Sequence, residues 1–265
     1  MRHLARALVL LVLPALAFAQ NERVLSDTLP LDNDGKILID TFKGTIEVKS
    51  WDRNEVSYKV EIVADEHEDL VEDTELRVRH SKGRLELVVD YEKAKKRNRR
   101  NHYSMPFTHV TVRVPSRSSV SVETHKAEID VANIGGDVDV DTHKGDIAVR
   151  NVAGYTSIDT HKSRGRLAGL MGPLSIDTHK GVIDVELDAV EGDIDIDTHD
   201  GRITVVVPKS ASLEVDAEVR RFRLDDDFKI DMVDLDNDHL KARINGGKHR
   251  FRADSYKGTV RLVAG

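Results

Sequence analysis

The tripeptide Thr-His-Lys begins at Thr124, Thr142, Thr160 and Thr178, and a variant Thr-His-Asp begins at Thr198. The steps are 18, 18, 18 and 20 residues, so His125, His143, His161, His179 and His199 occupy one phase of a repeat. Two residues before each histidine stands a carboxylate: Glu123, Asp141, Asp159, Asp177 and Asp197. Imidazole beside carboxylate at a fixed spacing can do two kinds of chemistry. Neutral imidazoles suit Zn, Ni or Cu, which makes the five histidines with Asp141, Asp159, Asp177 and Asp197 the candidate ligands of a divalent metal; no other cofactor is indicated. A specific site, however, needs three or four ligands in defined geometry, whereas a ladder offers many equivalent pairs. The second chemistry is proton sensing, because imidazole titrates near a pKa of about 6.5. Adjacent carboxylates favour charging and neighbouring imidazolium ions oppose it. The plainest alternative is a solvated face, where flanking opposite charges make the stacked like charges tolerable and the pairs contribute little.

The segments that carry these residues alternate strictly. Asp137-Val138-Asp139-Val140-Asp141-Thr142-His143 puts Val138, Val140 and Thr142 on one face and Asp139, Asp141 and His143 on the other, as a strand of period two requires. Lys144-Gly145 reads as a turn, Asp146-Ile147-Ala148-Val149-Arg150 as a second strand, and Ala153-Gly154 as a second turn. Two short strands and two turns in 18 residues make one coil, which buries its apolar face only by stacking on its neighbours. The fold class expected is therefore all-β: a single-stranded β-solenoid, β-helix-like, with short coils of ~18–20 residues and a β-rich N-terminal cap. An up-and-down barrel of 18-residue hairpins has the same alternation, but identical residues at identical phase favour stacking in register. Degenerate copies stand at Asp40-Thr41-Phe42-Lys43-Gly44 and Asp254-Ser255-Tyr256-Lys257-Gly258. The third copy reads Lys162-Ser163-Arg164-Gly165, with its glycine two residues late, which predicts an irregular coil.

Residues 1–19 carry two arginines, an apolar run from Ala7 to Ala19 and an Ala17-Phe18-Ala19 exit, the three parts of a secretory signal peptide. The run is shorter than the ~20 residues of a spanning helix, so no transmembrane segment is expected after cleavage. Removing Arg2 and Arg6 takes the formal charge from −7 to −9, which disfavours nucleic acid as a partner. With no cysteine in the chain, disulfides and thiolate chemistry are excluded. Aromatics make up only 5%, so Val, Ile and Leu must fill the core.

Beyond the leader, residues 20–107 read as a β-rich capping region with a basic insertion at 93–102, expected to be a flexible loop, and a short helix within Ala64–Val71. Residues 108–265 read as the solenoid. Pro115 and Pro208 mark strand ends, because proline donates no ladder hydrogen bond. The stretch from Asp225 to Asp238 reads as an exposed acidic loop. The repeated Asp-Thr-x-x-Gly-x-Ile-x-Val phrase, the lead-in Val112-Arg113-Val114-Pro115 and the closing Ile244-Asn245-Gly246-Gly247 resemble the bacterial DUF4097 family of adhesin-like repeat proteins. The resemblance implies a β-helix-like module of the cell envelope, in the periplasm or at the cell surface, with no defined catalytic chemistry. No G-x-S-x-G, H-E-x-x-H or P-loop occurs, and equivalent carboxylates on a flat face do not make the differently tuned pair of a glycosidase. The chain thus reads as a non-catalytic binding or structural module whose partner is an envelope protein or glycan.

Overall fold

A computed structural model describes residues 22–99, 103–236 and 239–265; the expected leader at 1–19 lies outside them. The alternating segments form nine stacked layers joined by in-register parallel ladders. Three central layers are single long strands, Ser119–Ile134, Val138–Val152 and Thr156–Leu170, paired Thr124↔Thr142↔Thr160. The next two layers each divide at the corner: Leu174–Thr178 with Val182–Leu187, then Ile194–Thr198 with Arg202–Val207. Parallel pairing through the repeats, Thr160↔Thr178↔Thr198, is what a stack of coils requires and a hairpin barrel forbids. The sheet is open.

At both ends the spatial order departs from chain order. Lys36–Asp40 and Lys43–Trp51 slot between Ser119–Ile134 on one side and Arg84–Asp90 with Phe107–Pro115 on the other. Likewise His249–Ser255 and Thr259–Ala264 slot between the coil at 194–207 and an outermost layer, Leu213–Val219 with Phe222–Leu224. The two degenerate copies are thus the inserted penultimate layers. Outside them the pairing turns antiparallel. Glu55–Val63, flanked in turn by Glu22–Pro30, and Glu75–Ser81 close one end, and His239–Ile244 with Ile230–Asp236 closes the other. Such caps stop a solenoid from pairing edge to edge.

The core is one continuous cluster of Val, Ile and Leu columns, including Val138, Val140, Ile147, Val149, Ile176 and Ile196, each at most 2% exposed. The corner threonines from Thr142 onward are equally buried, Thr142 at 1% and Thr160 at 2%, while Thr124 is half-buried. Their hydroxyls are satisfied at the corner: Thr142 Oγ1 donates to the Lys144 carbonyl (3.1 Å), and Thr178 and Thr198 accept from the amides of Gly181 and Gly201 (2.9 Å each). A buried hydroxyl without such a partner would destabilise the coil.

Several expectations are corrected. The Lys-Gly corner does not interrupt the central strands, because Lys126, Lys144 and Lys162 stay in the ladder. The coil at 156–170 is not irregular at its corner: Ser163 turns inward and bonds Thr160 Oγ1 (2.5 Å). Its register shifts instead between Ala168 and Leu170, around Gly169 at φ 68°. The basic insertion is not a loop over Glu92–Asn98, which is a helix. Ala94 is buried there, Arg97 pairs with Asp73 (2.8 Å), and the Asn98 side chain ties to the Tyr103 backbone. Within the acidic stretch Ile230–Asp236 is a strand on the closing hairpin rather than a loop. The short helix near residue 70 is present at Asp69–Glu72. No helix among the described residues is long and apolar enough to cross a membrane.

Candidate functional site

Each coil turns its corner at Thr-His-Lys, and the buried threonine anchors that turn. The histidine, next in sequence, must therefore face out. The ladder runs through it: the His179 amide donates to the Thr160 carbonyl (3.2 Å) and that of Lys180 to the His161 carbonyl (2.9 Å). In-register strands lie about 4.8 Å apart, and the imidazoles stack at that spacing. Ring centroids are 4.8 Å apart for His125–His143, 4.5 Å for His143–His161, 4.8 Å for His161–His179 and 4.5 Å for His179–His199. Interplanar angles run from 5° to 22°. The rings are thus stacked face to face in a nearly parallel file.

The file is longer than the histidine count suggests. Phe42 stacks on His125 (5.1 Å, 6°), and Tyr256 covers His199 (5.1 Å, 34°). Tyr91 meets Phe42 edge-on at 6.0 Å. Phe42 and Tyr256 were missed as site residues, although both stand in the histidine phase of the two degenerate copies.

Two residues upstream, Glu123, Asp141, Asp159 and Asp177 stand in direct register and Asp197 continues the row. Asp40 and Asp254 extend it at either end. Asp40, Glu123, Asp141 and Asp159 line a shallow groove of about 420 Å³ with His125, His143 and His161. Partial burial raises the pKa of Glu123, Asp141 and Asp177 above the usual carboxylate range, and the neighbouring carboxylates push the same way. Asp40 is raised by burial too, against the opposing pull of Lys95. On the other side of the rings run Lys126, Lys144, Lys162 and Lys180, with Asp200 in the variant coil. Lys43 begins this row tied to Asp65 and Ser104 (2.6 Å each), which holds the Asp65 carboxyl below its ordinary value.

Partial desolvation in the stack, then the adjoining imidazoles and lysines, holds His143, His161 and His179 below the ordinary histidine value. These rings are therefore neutral at neutral pH and charge only below the ordinary histidine range, each proton opposing the next. Parallel stacking points the ring nitrogens along separate planes rather than at one centre. Among the described residues no group of three His, Asp or Glu side chains could hold a metal ion. The geometry brings all the sequence-derived candidates together as files, not as a coordination sphere.

Among solved structures the chain is similar to a candidate cell-adhesion protein of Clostridium sporogenes (10% identity, 92% of this chain and 100% of that one, TM-score 0.38). It is similar also to a candidate adhesin of Bacteroides fragilis (11%, 91% and 97%, TM-score 0.38). A third is a candidate lipid-binding protein of Parabacteroides distasonis (11%, 91% and 96%, TM-score 0.26). No curated protein matches the sequence. Residues 135–263 match the family model described as Toastrack DUF4097.

Proposed function

We propose that this chain, which belongs through residues 135–263 to the Toastrack DUF4097 family, is a non-catalytic binding module whose working surface is the corner ridge. One observation carries the reading: carboxylate, imidazole and ammonium files run side by side, exposed, at the strand spacing. Such a surface suits an extended, repeating partner lying along the stack. Glu123, Asp141 and Asp177 are raised for the same causes, burial first and neighbouring carboxylates second; a hydrolase needs two of different character flanking one bond. The basic-apolar leader at 1–19 supports export, and a glycan or protein of the cell envelope is then the natural partner, in the periplasm or at the cell surface.

The lowered imidazole pKa values favour a second element, proton-responsive binding. Above pH ~6.5 the ridge offers opposed carboxylate and ammonium rows around neutral rings. As the pH falls through their lowered pKa values the rings add positive charge, so an anionic polymer should bind more tightly. Purified peptidoglycan sacculi, whose peptide stems carry carboxylates, are a suitable probe. The mature chain is expected to co-sediment with them several-fold more tightly at pH 5.5 than at pH 7.5. The triple variant His143→Gln, His161→Gln, His179→Gln should fold normally by circular dichroism and lose that difference. Undiminished pH dependence in the variant would show that the ridge is not the binding surface.

A further inference from the structure

A second charged feature lies away from the ridge, at the C-terminal end of the stack. Its residues come from three strands far apart in sequence. Arg223 and Arg261 are direct partners on adjacent parallel strands. Arg202 lies one strand further, opposite Thr259, two residues from Arg261 on the same face. Arg221 precedes Phe222, whose half-buried ring packs on buried Phe251 (6.0 Å) and fixes the floor. These side chains line a groove of about 730 Å³ together with Thr259. Arg220, which borders it, is already engaged.

No carboxylate lines this groove, in a chain whose formal charge is −7. Four arginines elsewhere on the coil surface meet a carboxylate: Arg164 with Asp146 (3.1 Å), Arg150 with Asp130 (2.6 Å), Arg250 with Asp193 (3.5 Å) and Arg252 with Asp254 (2.7 Å). Arg202, Arg221, Arg223 and Arg261 make no ion pair among the described residues. The nearest carboxylate in the row is Asp184, paired with Thr204 and so two strands from Arg261. Like charges directly opposite on neighbouring strands are unfavourable, and neither Arg223 nor Arg261 has an ion-pair partner among the described residues to offset the other. An external anion would.

We infer that this groove binds a phosphate-class oxyanion bearing more than one charged group, with Arg223 and Arg261 at its centre and Arg202 and Arg221 at its margins. A planar guanidinium grips two oxygens of a phosphate at once. Four guanidiniums around one groove supply more donors than a lone carboxylate accepts, which selects a multivalent ligand. Two sources share this chemistry: a soluble phosphorylated compound and a phosphate-bearing lipid head group.

The test is calorimetric titration of the mature chain with inorganic tripolyphosphate, alongside co-sedimentation with vesicles of phosphatidylglycerol in phosphatidylcholine and of phosphatidylcholine alone. The double variant Arg223→Gln, Arg261→Gln is expected to lose affinity by about tenfold or more, because two charge-assisted forks are removed. It should melt no lower than the wild type, since a repulsive pair has gone. Arg223→Lys with Arg261→Lys keeps the charge without the fork, should fall between the two, and carries the test if the glutamine variant fails to fold. Arg164→Gln, in a different groove, should bind as the wild type does. Loss confined to tripolyphosphate identifies a soluble ligand, and loss confined to phosphatidylglycerol vesicles identifies a head group. Absence of wild-type binding to either probe at millimolar concentration overturns the inference, as does unchanged affinity in the folded glutamine variant.

Discussion

Gly145→Ala is expected to cost several kcal/mol and to lower the melting temperature by roughly 10 °C, at about 2–4 °C per kcal/mol for a chain of this size. Gly145 sits at φ 137°, a conformation that costs a side-chain-bearing residue about 1–3 kcal/mol. A Cβ there would also lie 1.8 Å from the Ala127 carbonyl oxygen of the neighbouring coil. That atom belongs to a ladder and cannot move aside alone, so overpacking adds about 1–3 kcal/mol. The corner carrying His143 is built on this approach, and imidazole stacking should loosen with it. Gly83→Ala, where a Cβ meets nothing within 4 Å, is the control. Thermal melts of both variants check the prediction; equal melting temperatures would mean that the corner does not depend on the close approach.

Tyr91→Ala is the second large effect. Tyr91 is 5% exposed, and its hydroxyl bonds Thr41 Oγ1 (3.0 Å) and Thr108 Oγ1 (2.6 Å), both threonines being buried. Truncating a buried aromatic costs about 3–5 kcal/mol. Tyr91→Phe isolates the hydroxyl, whose loss leaves two buried threonines short of a partner at about 1–3 kcal/mol. Urea unfolding of the two variants separates ring from hydroxyl. Tyr91 also holds Phe42 edge-on, so Tyr91→Ala should disturb His125 at the end of the file, where Tyr91→Phe should not. Near-identical stability of the two variants would argue against the packing contribution.

Much of the site could be read directly from the residues. Alternation with period two placed Thr142 and its equivalents inward and Asp141 and His143 outward, because strand geometry leaves no other choice. Identical spacing implied in-register stacking, and the ladder Thr124↔Thr142↔Thr160 follows it. Alternation is silent, however, on which strands are neighbours. Lys36–Asp40 pairs with Ser119–Ile134, a contact some 80 residues distant that no local pattern encodes. Glu92–Asn98 looked like a solvated charge run because its basic residues outnumber the two that anchor it, Ala94 and Asn98. The hairpin strand at Ile230–Asp236 was masked by its acidic positions, though Val233 and Leu235 alternate with them. The arginine groove is assembled from residues 202, 221, 223 and 261, so it exists only once the C-terminal layer has been inserted into the stack.

The central claim is that the stacked imidazoles form one coupled, proton-responsive surface. The most direct measurement is an NMR pH titration of the histidine side chains in residues 20–265, assigned by single substitutions. His143, His161 and His179 are expected to show midpoints below that of histidine in an unstructured peptide. Their curves should be broadened, and those of His143 and His179 should shift upward when His161 becomes Gln, because a neighbouring positive charge has been removed. Sharp, independent curves with midpoints at or above the peptide value, unmoved by His161→Gln, would contradict the account.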